Sequence, residues 1–168
     1  TSMVACGDAD GAVTGNTRRF GASLEKIKQV VDVRKGEIMF GLNMVVNKGK
    51  TIFIADTSVH EYPTSEEMAE IAISAARVVR LFGIDPKIAF VSHSTFGQPL
   101  TSRTKHIRTA VDILKDKQVN FEFDGDMQPD VALNPDYEEL YPFAKIVGKA
   151  NILVMPGQHS AAISYKLM

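Results

Sequence analysis

The sequence predicts an α/β fold, a three-layer αβα arrangement around a mostly parallel, partly mixed sheet. Two observations lead to this prediction. Short apolar runs of strand length alternate nearly throughout with longer segments whose apolar residues recur every three or four positions. One pair of β-rich runs is joined only by Asn47-Lys48-Gly49-Lys50, which has the composition of a hairpin loop, so at least one strand is expected to be antiparallel.

The first part of the chain contains one helix signal and the hairpin. After a short apolar run at residues 11–14, Ser23 is the expected N-cap of a helix. The apolar face of that helix would consist of Leu24, Ile27, Val30 and Val31. Residues 38–46 and 51–55 follow as the two strands of the hairpin.

The strongest helix signal comes after the hairpin. Thr64 and Glu67 have the spacing of a capping box directly after Pro63, and Gly83 stands where a helix would end. The apolar face between these ends consists of Met68, Ile71, Ala72, Ala75, Val78, Val79 and Phe82.

The second half repeats the alternation. Residues 87–92 and 121–124 read as short strands, and Thr101 or Ser102 caps the helix between them. Its inward residues would be Ile107, Ala110, Val111 and Leu114. Asp124-Gly125-Asp126 is predicted to form a turn after the second strand.

The tail contains a short helix, a strand and a helix start. Asn134-Pro135 begins the short helix, and Pro142 breaks it. Residues 152–155 form the last predicted strand, followed by a Pro-Gly turn. Because no cap follows the final apolar residues, we expect the natural chain to be longer.

The composition restricts the function classes. With 168 residues the chain fits one domain or two small lobes, and a net charge of −1 gives no field that favours nucleic acid or an anionic membrane. The single cysteine, Cys6, excludes an internal disulfide and fits a reducing compartment. No apolar run approaches the ~20 residues of a membrane helix, and the start lacks a signal-peptide pattern. We therefore expect a cytoplasmic fragment without nucleic-acid or membrane partners.

Three loops at predicted strand ends are rich in small, polar or basic residues: residues 14–19, 92–99 and 156–160. Ligands of open α/β sheets bind beyond the carboxyl ends of strands, and such loops suit a phosphate-bearing ligand with an apolar arm. The candidate ligand-binding residues are Thr14, Gly15, Arg18, Arg19, Ser94, Thr95, Gly97, Gln158, His159 and Ser160.

Other groupings have simpler interpretations. A Ser-His-Asp triad lacks support because no Gly-x-Ser-x-Gly elbow precedes a helix, and no glycine-rich nucleotide loop is present. Two sets could hold a divalent cation: Asp56 with His60 and Glu61, and Asp8, Asp10, Asp124 and Asp126. Their spacing matches no known ligand loop, so we interpret them as turns and caps and predict no metal site. One basic set lacks interleaved aromatics and is interpreted as an exposed helix face: Arg103, Lys105, His106 and Arg108.

Several motifs occur in the order in which one known family has them: residues 53–61 (FIADTSVHE), 94–97 (STFG), 123–127 (FDGDM) with 130–135 (DVALNP), and 150–156 (ANILVMP). The chain resembles the phosphate acetyltransferase (phosphotransacetylase) family from Gly7 onward. It resembles in particular the version fused to the C-terminus of large bacterial NADP-dependent malic enzymes.

The resemblance implies a two-lobed architecture, of which residues 1–168 would be a fragment that supplies mainly the second lobe. It also implies a cleft for coenzyme A (CoA) or acetyl-CoA, and assembly into dimers or larger homo-oligomers. The positions that match the family's cleft loops are Thr14, Gly15, Ser94, Thr95 and Gly97, and residues 156–160 match the loop before the family's last shared helix. The transferases carry a reactive Ser-Arg pair and an Asp in a segment that would follow Met168, so the resemblance assigns no catalytic residue here.

The stretch Asn16-Thr17-Arg18-Arg19 resembles the malic-enzyme version, in which the domain is thought to sense acetyl-CoA. Our leading expectation is a regulatory acetyl-CoA-binding and oligomerisation domain, with both arginines pairing with CoA phosphates. The chain itself would hold no cofactor; an upstream malic enzyme domain of the same polypeptide would use NADP and Mg or Mn. Two alternatives stay open: an active phosphate acetyltransferase, and a ligand-free dimerisation lobe.

Overall fold

The computed structural model describes residues 1–47 and 49–168, so Lys48 of the predicted hairpin loop lies outside the described residues. The described chain divides into two compact units, Thr1–Glu37 and Ile38–Met168.

The first unit contains two helices, α1 (Ser2–Ala5) and α2 (Phe20–Lys28). Ser23 was the predicted N-cap of α2, and this prediction is wrong. The Ser23 backbone N–H already donates a helical hydrogen bond to the Arg19 carbonyl at 3.2 Å. Arg19 is extended and occupies the N-cap position without a side-chain bond, so the helix begins one turn earlier than the sequence indicates.

The second unit contains the sheet, whose described strands have the order β1-β2-β5-β3-β4. Their bounds are β1 Leu42–Asn47, β2 Lys50–Ala55, β3 Lys87–Val91, β4 Glu122–Met127 and β5 Ile152–Val154. β1 pairs antiparallel with β2, whereas the β2–β5, β5–β3 and β3–β4 pairs are parallel. The predicted mostly parallel, partly mixed sheet is confirmed.

Helices cover both faces of this sheet. Their bounds are α3 Ser65–Leu81, α4 Ser102–Asp116, α5 Pro129–Leu133 and α6 Gln158–Leu167, with a 3₁₀ helix at Pro135–Leu140. One buried cluster joins α3 and α4 to alternate strand residues such as Phe90. The opposite cluster joins α5 and α6 to the intervening residues, such as Val91 and Leu153. This alternation gives the three predicted layers. None of the described helices is long and apolar enough to cross a membrane.

Local signals located α3 and α4 correctly. Thr64 and Glu67 form the predicted capping box of α3, and Thr101 caps α4 through the Thr104 N–H. Phe82, predicted to face inward, is largely exposed, although its ring centroid lies 5.8 Å from that of Phe53. Caps and an apolar stripe thus predict where a helix lies more reliably than they predict the burial of the residue at its end.

The predicted turn at Asp124-Gly125-Asp126 is wrong, because these residues continue β4. Ala89 pairs with Asp124, and Phe90 pairs with Gly125. A Cβ on Gly125 would lie 2.7 Å from the Phe90 carbonyl oxygen, so only glycine permits this approach. Pairing between distant strands therefore overrides the turn propensity of the sequence.

Candidate functional site

The carboxyl ends of the parallel strands meet at one edge of the sheet. β5 lies between β2 and β3, but the chain leaves β2 and β3 toward the face of α3 and α4 and leaves β5 toward the face of α6. Neighbouring strands whose connections leave toward opposite faces create a crevice, the usual ligand position in open α/β sheets. The loops that border this crevice are residues 56–64, 92–101 and 155–157.

The Asp56 carboxylate organises the loop after β2. It is 2% exposed and accepts backbone N–H groups of Gly41 at 2.7 Å, Ser58 at 2.8 Å, Val59 at 3.2 Å and His60 at 2.8 Å. His60 Nδ1 lies 2.6 Å from the second oxygen. A carboxylate offers about four acceptor positions, and these donors occupy them. The geometry thus supports a loop cap at Asp56 rather than a metal ligand.

The loop after β5 packs directly on the loop after β2. A Cβ on Gly157 would lie 2.6 Å from the Glu61 carbonyl oxygen. The Gln158 backbone N–H donates to that oxygen at 3.3 Å, and Gln158 Nε2 donates to the Ser58 carbonyl at 3.4 Å. Part of the anion-binding capacity expected at the start of α6 is therefore used inside the protein.

The other two candidates on α6 differ in availability. Ser160 Oγ donates to the Gly157 carbonyl at 2.7 Å, so its proton is engaged within the turn. His159 is exposed in the first helical turn. Of the three α6 candidates, His159 has the side chain most open to a ligand.

Ser94 supports its loop from inside the protein. The residue is fully buried, and its hydroxyl donates to Asp126, whose carboxylate is also fully buried. Asp126 Oδ1 has no hydrogen-bond partner among the described residues. The Phe96 N–H donates to the Asp126 carbonyl at 2.7 Å and joins the same loop to β4. In this structure Ser94 therefore shapes the loop and does not reach its surface.

Thr95 and Gly97 lie in the same loop, where Thr95 is half-buried and Gly97 is buried. Thr95 Oγ1 accepts the Gln128 backbone N–H at 3.3 Å. Gly97 has φ +84°, and a Cβ there would lie 2.4 Å from an Arg108 guanidinium nitrogen. Arg108, assigned from the sequence to an exposed face, thus lies against this candidate loop and adds a positive charge to it.

A groove of about 290 Å³ opens at the crevice. Its lining residues are Tyr62, Pro63, Ser102, Arg103, His106, Ile107 and Pro156. The Arg103 guanidinium lies 5.6 Å from the Tyr62 ring centroid. His106 Nε2 lies 3.0 Å from the Pro63 carbonyl and donates to it, which fixes one wall to the start of α3. The groove is therefore largely preformed.

The sequence did not identify Tyr62 or Pro63 as lining a ligand site, and it assigned Arg103 only to an exposed helix face. A signal was present: α4 has no acidic residue in its first turn although Arg103 lies there. Positive charge near a helix N-terminus is unfavourable in itself. The partner Tyr62, however, is 41 positions away and could not be identified from local patterns.

The remaining candidates lie in the first unit. Thr14, Arg18 and Arg19 are exposed, and Gly15 has φ +135°. The Thr17 N–H donates to the Gly15 carbonyl at 2.6 Å, which closes a tight turn. This turn presents both guanidinium groups to solvent.

The carboxylates that could hold a cation are engaged or dispersed. Asp124 accepts the N–H groups of Gly125 and Lys145 at 2.9 and 3.0 Å. Within residues 1–47 and 49–168, no group of three or more His, Cys, Asp or Glu side chains is arranged to hold a metal ion.

Known proteins match this chain along its whole length. An NADP-dependent malic enzyme of Rhizobium meliloti is 47% identical over 99% of the chain, which covers 22% of that enzyme. A phosphate acetyltransferase of Bacillus subtilis is 31% identical over 99% of the chain, which covers 52% of that protein. The chain thus spans about a fifth of the first relative and about half of the second.

A solved structure and a family profile show the same similarity as these relatives. A phosphotransacetylase from Streptococcus pyogenes superposes with a TM-score of 0.89 at 30% identity, over 98% of this chain and 51% of that one. The profile of the family described as Phosphate acetyl/butaryl transferase matches residues 1–168. The resemblance seen in the ordered motifs is confirmed: the chain belongs to the phosphate acetyl/butaryl transferase family.

Proposed function

We propose that this chain is the acetyl-CoA-binding, regulatory and oligomerising part of an NADP-dependent malic enzyme. One observation supports this reading over a transferase. Over the same 99% of the chain, identity is 47% to a malic enzyme and 31% to a phosphate acetyltransferase. The parent reaction would be the oxidative decarboxylation of malate to pyruvate, using NADP and Mg or Mn bound by a preceding region of the polypeptide. The compartment would be the cytoplasm.

Regulation by acetyl-CoA requires that acetyl-CoA bind two states of the protein assembly with unequal affinity. Acetyl-CoA can inhibit only if it binds the less active state of the assembly more tightly, and such coupling is typically ~1–3 kcal/mol. In this proposal Arg18 and Arg19 pair with CoA phosphates, because both guanidinium groups are exposed beside a tight turn. Each unit is assigned its own contacts: the first unit would add Thr14 and Gly15 to its arginines. In the second unit, taken by itself, the proposed ligand contacts are Thr95, Gly97 and residues 158–160.

The double variant Arg18→Ala/Arg19→Ala tests this assignment in the full-length polypeptide that carries the chain. Loss of two charge-assisted contacts should weaken acetyl-CoA binding by at least about tenfold and shift inhibition of malate oxidation to higher acetyl-CoA concentration. Titration calorimetry and steady-state rates measure the two effects.

Lys26→Ala/Lys35→Ala is the matched control, because it removes two exposed positive charges from the same unit. This control should keep the affinity for acetyl-CoA, and the acetyl-CoA concentration that inhibits malate oxidation, within about twofold of the values for the unmodified protein, as expected for screened surface charges. Unchanged titration curves for the arginine variant would refute the residue assignment. Absence of acetyl-CoA binding by the unmodified protein, with its oligomer intact in light scattering, would instead support a ligand-free dimerisation lobe.

A second candidate is a working phosphate acetyltransferase. The superposition on a solved phosphotransacetylase with a TM-score of 0.89 favours this alternative. Such an enzyme would move acetyl between CoA and phosphate, largely through positioning and charge stabilisation. Formation of acetyl-CoA from acetyl phosphate by the full-length polypeptide would establish it, and no turnover above background would exclude it.

A further inference from the structure

Two large apolar side chains that lie three positions apart, Leu140 and Phe143, are exposed on the second unit. Leu140 is 65% exposed and Phe143 is 69% exposed. We propose that these two residues, together with Phe96 and Tyr141, form a docking surface for the rest of the malic enzyme polypeptide, the region outside these 168 residues. This inference rests on the proposed function, because a regulatory part of a protein must contact the part that it regulates.

The three rings of the docking surface pack against one another. The Phe96 ring centroid lies 5.6 Å from that of Tyr141 and 4.9 Å from that of Phe143. The Tyr141 and Phe143 centroids are 6.2 Å apart, and their planes are nearly perpendicular at 87°. Aromatic rings attract each other at these distances when the edge of one meets the face of another. Phe143 is therefore held against Phe96, although most of its surface faces solvent.

Charged residues flank the exposed apolar residues along the chain. Glu139 precedes Leu140 and is exposed, and Lys145 follows Phe143 by two positions and is also exposed. An aromatic centre with a charged rim is typical of contacts between proteins, in which aromatic side chains contribute much of the binding energy. Single exposed apolar residues need no explanation, but a packed group of rings at the surface indicates a partner protein.

The backbone beneath the rings is fixed as well. The Lys145 N–H donates to an Asp124 carboxylate oxygen at 3.0 Å, which joins this segment to β4. The Ala144 N–H donates to the Tyr141 carbonyl at 3.0 Å and closes a turn around Phe143. A partner would therefore meet a surface that is already formed, so that little affinity is lost in ordering it.

The size of the surface and the length of the relatives indicate the partner. Phe143 exposes roughly 100–170 Å², if an aromatic side chain offers about 150–250 Å². Two free copies of a protein need about 800 Å² on each partner for a stable complex. A region tethered in the same polypeptide has an effective concentration on the order of millimolar, so a smaller surface suffices. The chain covers 22% of a malic enzyme relative, which leaves a large tethered region to bind here.

Phe96 connects the docking surface to the candidate ligand loop after β3. It lies between Thr95 and Gly97 with φ +48°, a left-handed conformation that residues other than glycine seldom adopt. Its N–H donates to the Asp126 carbonyl at 2.7 Å. A ligand-induced change in this loop would therefore reach the Phe143 ring through a single contact. Acetyl-CoA would then act by changing how well the docking surface binds the rest of the polypeptide.

Photo-crosslinking in the full-length polypeptide identifies what covers the docking surface. A photoreactive benzoylphenylalanine in place of Phe143 should crosslink to peptides outside these 168 residues, which mass spectrometry locates. The same group in place of Phe82, which is 57% exposed at the end of α3, is the control and should give far fewer such crosslinks. Crosslinks from Phe143 only to residues of this chain, or to a second copy in a dimer band, would overturn the proposal.

Steady-state rates test whether the docking surface transmits regulation. Leu140→Ala/Phe143→Ala should raise the rate of malate oxidation at saturating acetyl-CoA by at least about fivefold, the lower limit of typical allosteric coupling. Calorimetry should still detect acetyl-CoA binding by this variant. Leu81→Ala/Phe82→Ala is the matched control, because it removes one exposed leucine and one exposed phenylalanine from the end of α3. Its inhibition should stay within about twofold of the unmodified protein, as expected for surface substitutions. Circular dichroism confirms that the variants are folded.

The docking surface and the proposed function can fail separately. If Phe143 crosslinks to the rest of the polypeptide but acetyl-CoA does not alter malate oxidation by the unmodified protein, the docking surface stands and the regulatory role falls. If acetyl-CoA inhibits the unmodified protein and Leu140→Ala/Phe143→Ala equally, and Phe143 gives no crosslinks outside this chain, the regulatory role stands and the docking surface falls.

Discussion

Removal of the Asp56 carboxylate tests whether one buried charge holds the loop that borders the groove. Asp56→Ala deletes the acceptor of four backbone N–H groups and of His60 Nδ1, at distances from 2.6 to 3.3 Å. The loop leads within six residues to Tyr62, one wall of the groove. The variant should therefore affect both folding stability and the site.

The expected loss in the free energy of unfolding follows from the number of backbone donors that Asp56→Ala leaves without a hydrogen-bond partner. Each unsatisfied buried donor costs about 1–3 kcal/mol, and the shortest backbone bonds are those of Gly41, Ser58 and His60. These residues are only partly buried, so water would replace some of the lost hydrogen bonds and reduce the loss of stability. We expect Asp56→Ala to lower the free energy of unfolding by about 3–5 kcal/mol, a large share of the 5–15 kcal/mol typical of a domain.

Urea unfolding followed by circular dichroism measures this change. Asp56→Asn should be intermediate, because one amide oxygen can still accept from Gly41 and Ser58 while the NH₂ group faces the His60 N–H. Glu61→Ala is the control: it removes an exposed carboxylate from the same loop and should change the free energy by less than about 0.5 kcal/mol. A loss below about 1 kcal/mol for Asp56→Ala would refute the reasoning.

Two further predictions concern β4. Gly125→Ala should cost about 3 kcal/mol or more, because its Cβ would lie 2.7 Å from the Phe90 carbonyl oxygen at φ +145°. Gly21→Ala, with open space in α2, should be neutral or slightly stabilising, and equal melting of the two variants would contradict the clash. Ser94→Ala should cost about 2–4 kcal/mol, because it leaves the buried Asp126 carboxylate without its hydroxyl donor. The double variant with Asp126→Ala should lose about 1–3 kcal/mol less than the sum of the single losses in urea unfolding, and strict additivity would show that the pair is not coupled.

The sequence was most informative where a local signal sufficed. The capping box of α3 and the Thr101 cap of α4 each involve residues three positions apart, so the pattern itself places the bonding atoms together. The same holds for the hairpin of β1 and β2, whose pairing needs only a short connection. The family was identified in a different way, because several of its motifs occur in the same order along this chain.

Predictions failed where distant segments compete with local preference. The turn expected at Asp124-Gly125-Asp126 became strand because β3 pairs with Asp124 and Gly125 and, after a register shift at Asp126, with Met127. The helix α5, at Pro129–Leu133, was not expected, because its short apolar stretch acquires a buried face only when it packs on the sheet.

The sequence by itself determined the alternation of strands and helices in the second unit, the antiparallel hairpin, the family and the two loops that follow β3 and β5. The third predicted loop, residues 14–19, lies between α1 and α2 and follows no strand. Only the tertiary structure decided that β5 lies between β2 and β3, and that Ser94 faces the buried Asp126 rather than solvent. It also decided that Arg103 meets Tyr62 across a groove. The physical reason is range: caps and periodicity act over one or two helical turns, whereas strand order and side-chain burial depend on contacts between residues tens of positions apart.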